Sequence, residues 1–138
     1  MLLPQDIQSK VSRNYLCINE SQMISILAVM VKFRNVCAHG ERLFTYRTTD
    51  SIPDLPIHKK LKIAQQGTQY VNGKNDLFSV VIALKYMLSD NWYKEFMKEL
   101  KALIDKYLKK HDSISEKELY EKMGFPENWK KITRYRKE

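Results

Sequence analysis

The chain has 138 residues, 43% of them hydrophobic, and carries a formal net charge of +8. That length fits one domain, the apolar fraction excludes a chain disordered by composition, and four Gly with four Pro favour helices over a turn-rich β-fold. A sequence pI of about 9.4 points to a polyanionic partner, with RNA or DNA ahead of an acidic protein.

The opening residues, Met1 to Asp6, lack the basic and apolar regions of a signal peptide. Asp6 is placed to cap a short helix running to about Leu16. Cys17 and Cys37 make neither a disulfide framework nor a CxxC zinc motif, so a reduced, cytoplasmic setting is expected. The Asn19-Glu20-Ser21 cluster then reads as a helix start. From Met23 to Ala38 the chain is apolar on nearly every side, the pattern of a helix in the middle of a bundle. Lys32 and Arg34 interrupt this stretch, so it falls short of a membrane span, and Gly40 suits a C-terminal stop.

Residues 45–75 read as a long irregular connection, broken by Pro53, Pro56, Gly67 and Asn72-Gly73. Within it, Leu61–Ala64 is compatible with a strand or a helical turn. A connection of this length is often a lid or a partner surface. Asp76 is a good N-cap for a second buried helix, which runs from Leu77 through Leu84 towards Leu88. Asp90 or Asn91 caps the next. There Trp92, Tyr93, Phe96, Met97, Leu100, Leu103, Ile104, Tyr107 and Leu108 recur at helical spacing, with lysines and glutamates on the other face. This stripe is read as core. Ser115 and Glu118 match a capping box for a short helix to Met123, stopped by Gly124. The tail, about 127–138, is basic with aromatics interleaved; a phosphate-binding arm and a solvated end both fit it. His58 and His111 stand in polar surroundings without ligand-spaced partners, so neither a metal site nor a cofactor is expected.

The chemistry concentrates in Arg34-Asn35-Val36-Cys37-Ala38-His39, followed by Gly40-Glu41-Arg42-Leu43-Phe44. On a regular helix Asn35 and His39 share a face, so the amide can fix the imidazole tautomer and leave the other nitrogen free for proton transfer. The same stripe extends back to Lys32. Arg34 lies about 140° round the helix from His39. Either the helix ends before His39, or a second chain completes the site. Metal-free RNA cleavage needs a base near neutral pKa, an acid for the 5′-oxygen and cations for the developing charge. Histidine suits proton transfer and arginine suits a bidentate grip on phosphate. The same residues also fit a structural role, with His39 capping the helix end and Arg34 pairing with a carboxylate. Cys37 does not face His39 and is a weak nucleophile candidate.

With Arg42-Leu43-Phe44 behind it, the Arg34-to-His39 run resembles the signature of the Abi-like abortive-infection family (AbiD/AbiF type), within the HEPN superfamily. The helix opening at Asp76-Leu77-Phe78 and the run Gly124-Phe125-Pro126-Glu127-Asn128-Trp129 resemble the C-terminal region of that family. The likeness covers nearly the whole chain. It implies an all-α, HEPN-like helical bundle over residues 1–138 and a metal-independent endoribonuclease for phage defence or toxin action. Arg34, Asn35 and His39 would be catalytic, and Lys32, Arg42 and Arg47 would bind RNA. The expected assembly is a homodimer with a composite active site, controlled by an antitoxin protein or a regulatory RNA. The alternative is a non-catalytic RNA- or protein-binding dimerisation module of the same type.

Overall fold

The computed structural model describes residues 18–38 and 44–137. The short helix expected before Cys17, and Gly40 as a helix stop, lie outside them. The structure is mostly helical. Helix α1 spans Glu20–Ala38. It starts where the sequence indicates: the Asn19 side chain accepts from the Gln22 N–H at 2.8 Å, and Gln22 Oε1 accepts from the Asn19 N–H at 2.9 Å. Two orphan donors are satisfied reciprocally.

The 45–75 connection is better ordered by its own packing than its sequence suggests. It contains a five-residue helix, α2 (Pro56–Lys60), and a two-residue hairpin of β1 (Gln65–Gln66) and β2 (Gln69–Tyr70), paired antiparallel. This hairpin departs from an all-α fold. Leu61–Ala64 is neither a strand nor a regular helix but the turn and bridge between α2 and β1. Ile52, Leu55, Ile57, Leu61 and Ile63 bury their side chains in the common core.

Helix α3 spans Leu77–Met87, and the Asp76 carboxylate accepts from the Ser79 N–H at 3.0 Å, as its N-cap position requires. Helix α4 spans Asp90–Lys110. Its cap is Ser89, whose hydroxyl faces the Trp92 N–H, and not Asp90 or Asn91. Helix α5 spans Glu116–Met123; Ser115 accepts from the Glu118 N–H at 3.2 Å, and Gly124 ends the helix in the left-handed conformation. A 3-10 helix, Trp129–Arg134, follows.

One hydrophobic core joins these elements, with α1 packed on α3, α3 on α4, and α4 on the 3-10 helix. Two sequence expectations need correction. Helix α1 is not buried all round: Met23, Ile26, Val29, Phe33 and Val36 face the core, while Ile24, Leu27 and Val31 are exposed. The aromatic stripe of α4 is not all core either, since Trp92 is 71% and Leu103 63% exposed at one edge of it. The tail is docked. Trp129 and Ile132 are fully buried, and the Tyr86 hydroxyl donates to the Lys137 carbonyl at 2.8 Å. No described helix is long and apolar enough to cross a membrane.

Candidate functional site

Phe33 and Val36 fix the rotation of the last turns of α1. Both are buried, and Phe33 meets Tyr46 edge-on with ring centroids 5.2 Å apart. The two residues between them, Arg34 and Asn35, are therefore turned out and exposed. Ile24, Leu27 and Val31 recur at helical spacing on the same side, with Val31 53% exposed. Rotating by about 100° per residue places Arg34 beside Leu27 and Asn35 beside Val31 and Ile24. The exposed face of α1 is thus apolar along its length and polar at its C-terminal end. His39 and Arg42 lie outside the described residues. Cys37 is a free, exposed thiol.

The two other cations expected to meet RNA are engaged with protein. Lys32 Nζ lies 2.8 Å from Asp50 Oδ2 and donates to Thr49 Oγ1 at 3.2 Å, tying α1 to the 45–75 segment. Its hydrogen bond to Asp50 raises its pKa. Arg47 donates to the carbonyls of Tyr46 at 3.0 Å and Phe44 at 3.4 Å, and to the Lys122 carbonyl at 3.0 Å. Its guanidinium fastens the start of the 45–75 segment to the last turn of α5. Arg34 and Asn35 are thus brought together on one exposed turn, while Lys32 and Arg47 act as fasteners on either side of the 45–75 segment.

His58 corrects a further expectation. Far from standing in polar surroundings, it is fully buried. Its Nδ1 accepts from the Leu55 N–H at 3.0 Å, and its Nε2 lies 2.7 Å from the Gly73 carbonyl, which makes Nε2 the protonated nitrogen. The ring stacks on Tyr70 at 5.0 Å. The Gly73 N–H in turn donates to both oxygens of Asp76, at 3.1 and 3.0 Å. A buried imidazole and a buried carboxylate therefore hold the two peptide groups that flank Gly73, and the clasp joins α2, the loop after the hairpin and the cap of α3.

Burial lowers the His58 pKa, and nearby Lys74 adds to that against the Gly73 hydrogen bond. Burial raises Asp76 to about 6, against the N–H donors of Gly73 and Ser79 and the charge of Arg47. The two have opposite consequences. The unfolded chain takes a proton on His58 near 6.5 before the folded chain does, so the contribution of neutral His58 is complete above 6.5 and is lost as pH falls. Folded Asp76 takes its proton near 6, before the unfolded chain does near 3.8, so its burial becomes less costly as pH falls through that range. Urea midpoints measured across pH are expected to show both slopes. Relative to His58→Gln, the wild type loses stability on acidification below 6.5; relative to Asp76→Asn, it gains stability between 6 and 3.8.

Among the described residues no cluster of three or more His, Cys, Asp or Glu side chains is arranged to hold a metal ion. Comparison with family models, curated proteins and solved structures gives no match for this chain.

Proposed function

We propose that this protein is a HEPN-type, metal-independent endoribonuclease of a cytoplasmic phage-defence or toxin-type system. The observation that carries the reading is the exposed Arg34-Asn35 pair at the end of α1, held outward by buried Phe33 and Val36 and continuous with the exposed Ile24-Leu27-Val31 stripe. The stripe supports a homodimer in which α1 of one subunit covers α1 of the other. Pairing removes apolar side chains from water on both chains. It also answers the rotation problem, because Arg34 of one subunit can face the phosphate served by His39 of its partner.

In that site the 2′-hydroxyl of the RNA attacks the adjacent phosphorus. His39 takes the 2′ proton, and the P–O5′ bond breaks as the leaving 5′-oxygen takes a proton from water. Arg34 offers two N–H donors to the non-bridging oxygens, where negative charge grows. Asn35 orients the imidazole or the phosphate. The products carry 2′,3′-cyclic phosphate and 5′-hydroxyl ends. An antitoxin protein or a regulatory RNA that covers the α1 face would hold the activity silent.

The test is cleavage of single-stranded and structured RNAs in EDTA. Wild type should cut, Arg34→Ala should be slower by about 10²- to 10³-fold, and His39→Ala should be inactive. Mixing the two inactive proteins should restore about a quarter of wild-type activity, because half the dimers then carry one intact composite site. Undiminished cleavage by purified His39→Ala would end the proposal. RNA binding without cleavage by a folded wild type would favour the non-catalytic binding module.

A further inference from the structure

A second cationic feature lies away from α1. Lys94, Lys98, Lys101 and Asp105 follow one another at helical spacing along one flank of α4. With Thr133 of the 3-10 helix they line an open groove of about 560 Å³ floored by Met97. The flank is set by the core: Tyr93, Met97 and Ile104 are buried, so the residues next round the helix border the docked tail. The carboxylates Glu95 and Glu99 rotate to another flank. Among the described residues the ion pairs are Lys32–Asp50 and Lys74–Asp54, so no carboxylate neutralises these three lysines by direct contact.

The opposite wall is the 3-10 helix of the docked tail, which gives Thr133 to the groove. The same helix carries Lys130, Lys131 and Arg134 as exposed side chains outside the groove lining. That helix is anchored by buried Trp129 and Ile132, with Lys130 Nζ 5.9 Å from the Trp129 ring centroid. Beyond it, Lys60 Nζ donates to the Arg136 carbonyl at 2.8 Å and Lys137 Nζ to the Leu88 carbonyl at 3.2 Å. The groove cations therefore stand on α4, facing an anchored 3-10 helix. Three lysines against the one carboxylate of Asp105 leave the groove lining net positive, and such a groove concentrates the opposite sign along its length.

We propose that the groove between α4 and the 3-10 helix binds the phosphate backbone of RNA and serves as a second contact surface for the strand. This rests on the RNA-directed reading of the α1 site, and it gives that site the grip that engaged Lys32 and Arg47 do not supply. A row of phosphates matches the groove better than a single anion does, since the three lysines spread over about 10 Å of helix. The lysines that line the groove suit phosphates and carry no base-edge code, so recognition is through the backbone and tolerant of sequence. Asp105 repels phosphate at the α5 end and sets where the strand leaves the groove.

The test measures the binding of a short, mixed-sequence, fluorescent single-stranded RNA by anisotropy over a range of salt. The full chain carries His39→Ala, so that nothing is cut. Lys94→Glu, Lys98→Glu and Lys101→Glu are combined and compared with a control triple, Lys106→Glu, Lys110→Glu and Lys117→Glu, which lowers the net charge equally from other surfaces. All six lysines are solvent-accessible, and thermal melting checks that both triples fold. The groove triple should weaken binding by about ten-fold or more and flatten the log–log salt dependence by about two, against less than about three-fold for the control. Equal loss in the two triples, or no RNA binding by the parent protein, overturns the proposal. Cleavage is read separately: selective loss of binding in the groove triple stands even if the wild type cuts nothing, and cleavage by the wild type does not rescue a groove whose triple behaves like the control.

Discussion

Gly124→Ala is expected to destabilise the protein by about 3 kcal/mol or more. Gly124 ends α5 with φ +76, a conformation an L side chain adopts at a cost of about 1–2 kcal/mol. The larger penalty comes from what lies above it. An added Cβ would sit 2.5 Å from Asp76 Cγ and 2.7 Å from Asp76 Cβ, well inside contact distance. Asp76 cannot swing aside cheaply, because its oxygens hold the Gly73 and Ser79 N–H groups and it is almost fully buried. One methyl group would thus disturb the end of α5, the cap of α3 and the His58 clasp together. Gly67→Ala separates the two causes. Gly67 has φ +67 with nothing within 4 Å of an added Cβ, so it should lose only about 1 kcal/mol. Urea unfolding of both variants checks the contrast; similar losses at the two sites would show that Asp76 yields.

The second large effect is expected at Trp129. Its side chain is fully buried, with ring centroids 5.0 Å from Phe125 and 5.9 Å from Tyr120. Trp129→Ala should cost about 3–5 kcal/mol, and Trp129→Phe, which refills much of the volume, under about half of that. The alanine variant should also release the tail, since Trp129 and Ile132 are its fully buried apolar anchors. Amide exchange from Lys131 to Lys137 should then accelerate beyond the change in global stability. A tail that only lay solvated on the surface would tolerate either substitution.

The sequence was readable where the chemistry is local. Asn19, Asp76, Ser115 and Gly124 act within a few residues of where they stand, so their side chains and backbone preferences name their roles. The start of α4 shows the limit of that logic: Ser89, Asp90 and Asn91 are all good caps, and which of them stands outside the first turn depends on how the helix sits on Tyr93 and Met97. Orientation was harder still. Helix α1 is apolar nearly all round, so its sequence cannot tell Val29 and Phe33, which are buried, from Leu27 and Val31, which are not. His58 was hidden for a different reason. Its chain neighbours Lys59 and Lys60 are polar, whereas the groups that enclose it, Gly73 and Tyr70, lie more than ten residues on. The Arg34-Asn35 pair was legible as a motif, and its exposure follows from Phe33 and Val36 on either side of it. The lysine flank of α4 escaped notice because its lysines alternate with glutamates along the chain, and only the helix sorts them onto separate sides.

The docking of Trp129 and Ile132 bears on how the protein comes into being. Part of the floor of the core is laid by residues made only after all five helices, and Asn128 reaches back to donate to the Leu61 carbonyl at 2.8 Å. A nascent chain can wind α1 and α3 early, but it has no closed interior until Ile132 has left the ribosome. Closure of the core therefore waits for the 3-10 helix, however early the helices before it have formed. A message cut short before Trp129 yields a chain without a finished core.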